Sequence, residues 1–160
     1  MPVFNEEESI DIFLSAVMPF LEKAALRFEV VFVNDGSRDD TFAHLLACCA
    51  RDRRVKVVNL SRNFGKEAAL TAGIDHAGGD ILIPMDIDLQ DPPDLIEPFV
   101  ERWREGYDIV YGIRAARTSS RLAYSEAIES TRALLPTSDA TRDTFEDSAR
   151  HTPHHGAQKT

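Results

Sequence analysis

Four acidic side chains and one glutamine lie within the twelve residues IPMDIDLQDPPD, at positions 83–94. Carboxylates repel one another, so carboxylates gathered this closely need a neighbouring positive charge to stay ionised together. Asp86 and Asp88 offer the hard oxygen ligands that Mg²⁺ and Mn²⁺ prefer, and Gln90 could add a side-chain carbonyl. The spacing therefore predicts a divalent metal site.

The same stretch has a simpler explanation that the sequence leaves open. Asp91 could cap a helix that begins near Pro93, and Asp94 could lie near the positive end of that helix. A calcium-binding EF-hand is excluded, because its loop needs glycine at the sixth position, where this sequence has Asp91. The choice is between a Mg²⁺ or Mn²⁺ site and a helix-capping loop.

Two further polar motifs follow apolar runs. In VNDGSRDDT (33–41), Asp35 could accept hydrogen bonds from the N–H groups of a nucleobase, although Asp-Gly is also ordinary turn chemistry. In SRNFGKEAAL (61–70), Arg62 and Lys66 flank a glycine at the start of a helix, which is a candidate anion site. The second motif lacks the spacing of a phosphate-binding P-loop, and a lone lysine at a helix start is usually solvated.

The elements that must position these motifs are short apolar runs that alternate with helical patterns. Strands are predicted at 2–4, 28–35, 55–60, 80–86 and 108–113. Helices are predicted over Ser9–Ala25, Thr41–Ala50 and Lys66–Ala77, and from about Pro93 onward. Strands of this length separated by single helices predict an α/β fold of right-handed βαβ units, with a mostly parallel sheet and helices on both faces.

Polar residues stand at the carboxyl end of every predicted strand. Ligands of open α/β sheets bind beyond these ends, so the residues there should converge on one rim. They are Asn5-Glu6, Asn34 to Ser37, Ser61 to Asn63, Asp86 to Asp88, and Arg114. This rim is the predicted site.

The bulk composition sets limits on function. A length of 160 residues suits one domain, and the net charge of −9 argues against nucleic acid as a partner. The adjacent Cys48 and Cys49 have no metal-binding spacing and are expected to be reduced thiols, and no apolar run could span a membrane. We therefore expect a cytoplasmic protein. The sequence does not indicate an oligomeric state.

The sequence changes character after Arg114. Residues 1–114 carry the whole net charge of −9, whereas residues 115–160 hold six basic and six acidic side chains and few large apolar ones. A short helix across Arg121–Leu135 is conceivable, but a second core is not. We expect one domain over 1–114 and a polar, largely disordered tail over 115–160.

Four motifs in register carry a family resemblance: PVFNEE, FVNDGSRDDT, LSRNFGKEAALTAG and IPMDIDLQDPP. Together they resemble the family 2 inverting glycosyltransferases of GT-A fold, with a Rossmann-like sheet. Within that family they look like the polyprenyl-phosphate branch, which includes dolichyl-phosphate mannose synthases and bactoprenol glucosyltransferases. The resemblance implies transfer of a sugar from a UDP- or GDP-linked donor, with UDP-glucose favoured, to a polyprenyl phosphate at the cytoplasmic face of the membrane.

The resemblance also implies roles for individual residues. Asp86 and Asp88 would be the catalytic carboxylates and, with Gln90, would hold Mg²⁺ or Mn²⁺. The residues expected to bind the nucleotide are Pro2, Phe4, Glu6, Asp35, Lys66 and Arg114. The acceptor is already a phosphate anion, so no strong general base is needed.

Two departures from the family pattern limit the expectation. The first strand is short, and residues 115–160 lack the family's acceptor-binding elements, so the chain resembles a truncated enzyme that binds its donor but is a poor or inactive transferase. Two other functions stay open. A metal-dependent nucleotidyltransferase would favour a basic loop after the first strand, where NEEES is acidic. A non-catalytic flavodoxin-like module would place its acidic cluster after the first strand.

Overall fold

The computed structural model of the protein describes residues 1–24, 27–112 and 128–131. Its strands are β1 (Pro2–Val3), β2 (Val30–Asn34), β3 (Val55–Asn59), β4 (Ile109–Gly112) and β5 (Ile128–Thr131). Its helices are α1 (Ser9–Ala24), α2 (Thr41–Arg51), α3 (Lys66–His76) and α4 (Ile96–Arg104), and a 3₁₀ turn at Pro93–Leu95 precedes α4. The first three predicted helices match α1 to α3 to within one residue at each end.

A parallel sheet in the order β1-β2-β3 forms the centre of the fold. Pro2 of β1 lies opposite Val33, while β2 pairs with β3 from Val30 opposite Val55 to Asn34 opposite Asn59. The predicted α/β fold with a parallel sheet is confirmed. Because the three strands run in the same direction, their carboxyl ends meet at one edge, where the polar motifs begin.

Helices cover both faces of this sheet. The ring of Phe32 in β2 packs edge-on against Phe13 of α1, with the ring centres 6.1 Å apart. The next residue, Val33, points to the opposite face and approaches Gly73 of α3 so closely that a Cβ on that glycine would lie 3.2 Å from it. Phe13, Phe32 and Val33 are buried, so β2 provides the centre of the core.

The predicted strand at 80–86 is wrong, because this segment forms no ladder with any described residue. Its alternation is nevertheless visible in the packing. Ile81, Ile83 and Met85 pack against the core, whereas Leu82 is 41% exposed. The segment and β4 line a cavity of about 700 Å³. The apolar pattern thus predicted correctly which side chains face the core. Alternation alone does not ensure that the segment pairs with a neighbouring strand.

The last predicted strand is present as β4, but it joins a second sheet in which β4 and β5 are antiparallel. Ile109 lies opposite Thr131, and Gly112 lies opposite Ile128. A helix across the whole of Arg121–Leu135 is therefore wrong, since Ile128–Thr131 is a strand. The expected disorder of the other residues in 115–160 lies outside the described residues, as does Arg114. Among the described helices, none has the length and apolar character required to cross a membrane.

Candidate functional site

The turns that follow β1 and β2 hold each other through Asn5. The backbone N–H of Asn5 donates to Ser37 Oγ at 2.9 Å, and Asn5 Oδ1 accepts the backbone N–H of Arg38 at 2.9 Å. Asn5 has a φ of 55°, a left-handed conformation that asparagine tolerates better than most residues. These contacts fix the first two strand ends relative to each other.

The residues around Glu6 join β1 to the helices. The Glu6 N–H donates to Thr41 Oγ1 at 2.8 Å, and Glu6 Oε2 accepts the Ser9 hydroxyl at 2.7 Å, at the start of α1. Phe4 follows β1 directly and its side chain is 41% exposed, while Pro2 lies within β1. The structure therefore places Phe4 and Glu6 at the rim and Pro2 in the strand that leads to it.

Asp35 is the buried carboxylate of the rim, only 3% exposed. Its Oδ1 accepts the backbone N–H of Phe64 at 2.7 Å, and its Oδ2 accepts that of Gly65 at 2.9 Å. Two backbone donors satisfy much of the carboxylate's demand for hydrogen bonds, which makes its burial tolerable. Asp35 thus anchors the loop that leads from β3 to α3, and its contact with a nucleobase stays a prediction.

Gly36 allows the turn after β2 to touch the loop after β3. Its φ is 67°, and a Cβ built on it would lie 2.3 Å from the carbonyl carbon of Arg62 and 2.5 Å from the nitrogen of Asn63. Backbone atoms cannot move aside as a flexible side chain can, so only glycine fits here. The DG pair, interpreted from sequence as turn chemistry, is also a point of close backbone approach.

Lys66 connects the start of α3 with the acidic motif. Its Nζ lies 2.7 Å from Asp86 Oδ2, and both side chains are partly exposed. The hydrogen bond to Asp86 raises the pKa of Lys66 above its usual value of 10.5, and the charges of Asp88 and Asp91 raise it further. The third and fourth motifs therefore meet at the rim, as predicted, although residues 80–86 do not form the strand from which that prediction was made.

The middle residue of the DID motif packs into the hydrophobic core. Ile87 is buried at 8% exposure, while Asp88 is exposed and its Oδ1 accepts the N–H of Gln90 at 3.2 Å. The first helical turn beyond has Pro92 at its N-cap position, so Asp91 does not occupy the cap predicted for it. The expected cap is therefore wrong, whereas Asp94 does lie in the first turn, as the helix-capping interpretation expected.

The donor set of the rim fits a hard divalent cation. Asp86 and Asp88 would offer carboxylate oxygens and Gln90 an amide oxygen, which are the ligands that Mg²⁺ and Mn²⁺ take in proteins. The Lys66 ammonium already places a positive charge against Asp86, so this carboxylate lies in a position where a cation is accommodated.

The hydrogen bond between two asparagine side chains was not predicted from the sequence. Asn34 Nδ2 donates to Asn59 Oδ1 at 2.7 Å, across the carboxyl ends of β2 and β3, and Asn34 Oδ1 accepts the N–H of Ser37 at 3.2 Å. The available signal was an asparagine near the end of two successive strands, in VFVND and VVNL.

Residues 1–158 of the 160-residue chain match Glycosyl transferase family 2. The chain belongs to this family. The resemblance identified from four motifs is thereby confirmed, and family membership disfavours a nucleotidyltransferase and a flavodoxin-like module. Enzymes of this family generally use a divalent metal ion.

Curated relatives narrow the comparison. The chain is 50% identical over 117 residues to an uncharacterized glycosyltransferase of Synechocystis, 47% identical over 119 residues to the prophage bactoprenol glucosyl transferase homolog of Escherichia coli, and 43% identical over 121 residues to the undecaprenyl-phosphate 4-deoxy-4-formamido-L-arabinose transferase of Pseudomonas aeruginosa. These matches cover 73%, 74% and 75% of this chain but 37%, 39% and 36% of the relatives. The chain thus spans well under half the length of the curated relatives it matches.

Proposed function

We propose that this chain provides the nucleotide-sugar-binding part of an inverting glycosyltransferase that moves glucose from UDP-glucose to a polyprenyl phosphate. Support for the acceptor comes from relatives named as bactoprenol glucosyl transferases and as an undecaprenyl-phosphate transferase, each at least 43% identical to the chain over the matched part. Residues 1–114 form the proposed donor-binding domain. Because the proposed acceptor is a lipid, the enzyme is proposed to act at the cytoplasmic face of a membrane.

The contact between Lys66 and Asp86 is the observation that carries this proposal. It brings the amino end of α3, a cation and the DID motif together at 2.7 Å, beside the ends of the parallel strands. A nucleoside diphosphate needs just such a combination, because its phosphates are anionic while its bound metal needs carboxylates.

The nucleoside is proposed to lie on the side of the rim formed by β1 and β2. The exposed ring of Phe4 offers a stacking surface, and the Glu6 and Asp35 carboxylates offer acceptors close to the same strand ends. Pro2 supports this wall from within β1. Lys66 and Arg114 are proposed to bind the diphosphate because both are positively charged. Arg114 is assigned from the sequence alone.

Asp86, Asp88 and Gln90 are proposed to hold Mg²⁺ or Mn²⁺. When bound, the ion supplies positive charge that stabilises the departing nucleoside diphosphate. Asp86 and Asp88 would hold the ion through their carboxylate oxygens, and Lys66, which pairs with Asp86 in this structure, would turn toward the diphosphate. The acceptor phosphate is an anion at neutral pH, so no side chain of the rim has to remove a proton from it.

Donor binding is proposed to survive in this chain better than sugar transfer. A polyprenyl phosphate needs a cationic site for its head group and apolar surface for its tail. Residues 115–160 are poor in large apolar side chains, so they offer little of that surface.

Calorimetry with UDP and with GDP, each with and without Mn²⁺, tests the donor assignment. We expect Mn²⁺-dependent binding that is tighter for UDP than for GDP. Tighter binding of GDP would overturn the choice of nucleotide, and binding of neither would overturn the donor-binding function.

Transfer of labelled glucose from UDP-glucose to undecaprenyl phosphate in detergent tests the second step. Rapid, metal-dependent turnover by the 160-residue chain would show that the separation of binding from transfer is wrong.

A further inference from the structure

A second cluster of potential metal ligands lies between α1 and α2. Asp11 lies in the first turn of α1, and His44 and Cys48 lie on α2. One ligand atom from each residue falls within 4.8 Å of the others. His44 Nε2 is 2.8 Å from Asp11 Oδ2, and Cys48 Sγ is 3.9 Å from Asp11 Oδ1. An imidazole, a thiol and a carboxylate therefore converge on one point.

The arrangement follows from helix geometry. His44 and Cys48 are four residues apart, so they lie on the same face of α2, one turn above the other. Two ligands at this spacing on one helix are a recurrent way to hold a zinc ion, and the third ligand then comes from a separate element. Asp11 is in the place of such a third ligand, because α1 packs beside α2. The sequence signal is H-x-x-x-C at positions 44–48, which the spacing of the two adjacent cysteines does not reveal.

Arg51 already neutralises this cluster. Its guanidinium donates to Asp11 Oδ1 at 2.8 Å and lies 3.0 Å from Cys48 Sγ. These contacts place the positive charge of Arg51 against the carboxylate of Asp11 and the sulfur of Cys48. The Arg51 side chain is 62% exposed, so it can turn into solvent without breaking the core. The cluster is thus a position where the fold accepts a cation.

We propose that Asp11, His44 and Cys48 form a Zn²⁺ site that joins α1 to α2 and is separate from the carboxylates of the rim. Thiolate and imidazole ligands select zinc over Mg²⁺ and Mn²⁺, which favour oxygen. Asp11 and Cys48 also line a surface cavity of about 310 Å³, which gives an ion a route to the cluster. Three protein ligands leave a fourth position for water.

Binding of Zn²⁺ would release a proton from the cluster. Zn²⁺ bonds to Cys48 Sγ, and the thiol proton passes to solvent. His44 Nε2 donates to Asp11 in this structure, so a neutral ring must exchange its proton through solvent from Nε2 to Nδ1 before Nε2 can offer a lone pair to the ion. Asp11 is already ionised and releases nothing. With neutral His44, one proton leaves for each ion bound, and the Arg51 guanidinium leaves the cluster with its charge unchanged.

Co²⁺ provides the first test, because a cobalt–thiolate bond absorbs in the near ultraviolet and oxygen ligands give no such band. We expect the reduced 160-residue chain to show this band with Co²⁺ and to lose it when Zn²⁺ is added. Cys48→Ser should abolish the band, whereas Cys49→Ser, which changes the neighbouring thiol outside the cluster, should retain it. Asp88→Ala should also retain it. No band in the unmodified chain, or a band that depends on Cys49, overturns the proposal.

Arg51→Met provides a second test that does not require removal of a ligand. If Arg51 occupies the place of the metal, its removal should strengthen Zn²⁺ binding, measured as a lower dissociation constant and a larger rise in the thermal unfolding midpoint on addition of Zn²⁺. Calorimetry in buffers with different ionisation enthalpies should give release of about one proton per ion. Weaker Zn²⁺ binding by Arg51→Met, or binding without proton release, contradicts the assigned ligands.

Discussion

The ammonium of Lys66 lies 2.7 Å from the carboxylate of Asp86, so two motifs twenty residues apart in sequence meet in an ion pair at the sheet rim. Both side chains are partly exposed, at 66% and 43%. A metal ion at Asp86 would share this carboxylate with the Lys66 ammonium, whose positive charge repels the ion. The pair should therefore weaken metal binding at Asp86.

Lys66→Met should consequently strengthen Mn²⁺ binding in the absence of nucleotide. Exposed ion pairs contribute about 0–1 kcal/mol, so the gain should reach at most about fivefold in the dissociation constant. Paramagnetic resonance of free Mn²⁺ measures it directly. Lys56→Met is the matched control, because Lys56 pairs with Glu29 instead. Unchanged or weaker Mn²⁺ binding by Lys66→Met would show that Lys66 does not weaken metal binding at Asp86.

Local patterns were sufficient to predict the helices and the parallel strands of the fold. The apolar periodicity of α1 and α2 and the β-branched runs of β2 and β3 are strong, and their burial agrees with them. Helix α3 lacks such periodicity and packs through the small residues Ala69 and Gly73. The segment at 80–86 shows the limit of such patterns. Its alternating side chains pack as expected, but a strand also needs a partner, and pairing depends on distant parts of the chain.

The position of the rim was predictable from the sequence, but the contacts within it were not. Strand ends and polar residues indicated where Asp35, Lys66 and Asp86 would gather. That Asp35 accepts two backbone N–H groups depends on the path of the loop after β3, which no local pattern specifies. Spacing in the sequence can therefore suggest a functional role for a side chain. The path of the backbone is needed to decide whether the role is functional or structural.

Asp88→Ala should abolish Mn²⁺-dependent nucleotide binding and leave the fold intact. Asp88 is exposed and its Oδ1 accepts the N–H of Gln90, a local hydrogen bond, so its loss removes a proposed ligand at little structural cost. Titration of UDP with Mn²⁺, together with a thermal unfolding curve, measures both effects. Asp75→Ala, an exposed carboxylate on α3, should bind as the unmodified protein does. Equal metal-dependent affinity in Asp88→Ala would refute the assignment of this ligand.

Glu29 should contribute stability that depends on pH. Its carboxylate accepts from Lys56 and, at 2.7 Å, from the N–H of Gly78; the bond from Lys56 first and that from Gly78 second lower its pKa below the usual 4.5. A lowered folded-state pKa means that the stabilisation is complete above pH 4.5 and is lost as the pH falls through the folded value.

The free energy of unfolding of Glu29→Gln should thus fall below that of the unmodified protein at neutral pH, and the two should converge toward pH 2. Urea unfolding at a series of pH values measures the difference. Glu67→Gln, at an exposed position on α3, serves as the control. A deficit in Glu29→Gln that is equally large at both ends of the pH range would mean that the ionic contact is not its source.

Asp35→Asn separates two roles of one carboxylate. If Asp35 accepts from a nucleobase, the change should weaken UDP binding by about 1–3 kcal/mol, the range for a hydrogen bond to a charged group. The change should also lower the free energy of unfolding, because the amide can point an N–H at Phe64 or Gly65, which are themselves donors. Calorimetry and urea unfolding report the two roles. Lower stability with unchanged UDP affinity would restrict Asp35 to anchoring the loop.

Gly36→Ala and Gly65→Ala form a matched pair that tests the backbone contact at the rim. Both glycines have positive φ, at 67° and 96°, so both changes should introduce backbone strain of about 1–3 kcal/mol. They differ in space, since a Cβ at Gly36 would lie 2.3 Å from the backbone of Arg62, while one at Gly65 has nothing within 4 Å. Gly36→Ala should therefore lose more stability than Gly65→Ala in urea unfolding. It should also increase amide hydrogen exchange at Phe64 and Gly65, whose bonds to Asp35 require the loop to stay close. Equal losses in the two variants would mean that the loop moves away from Gly36 without cost.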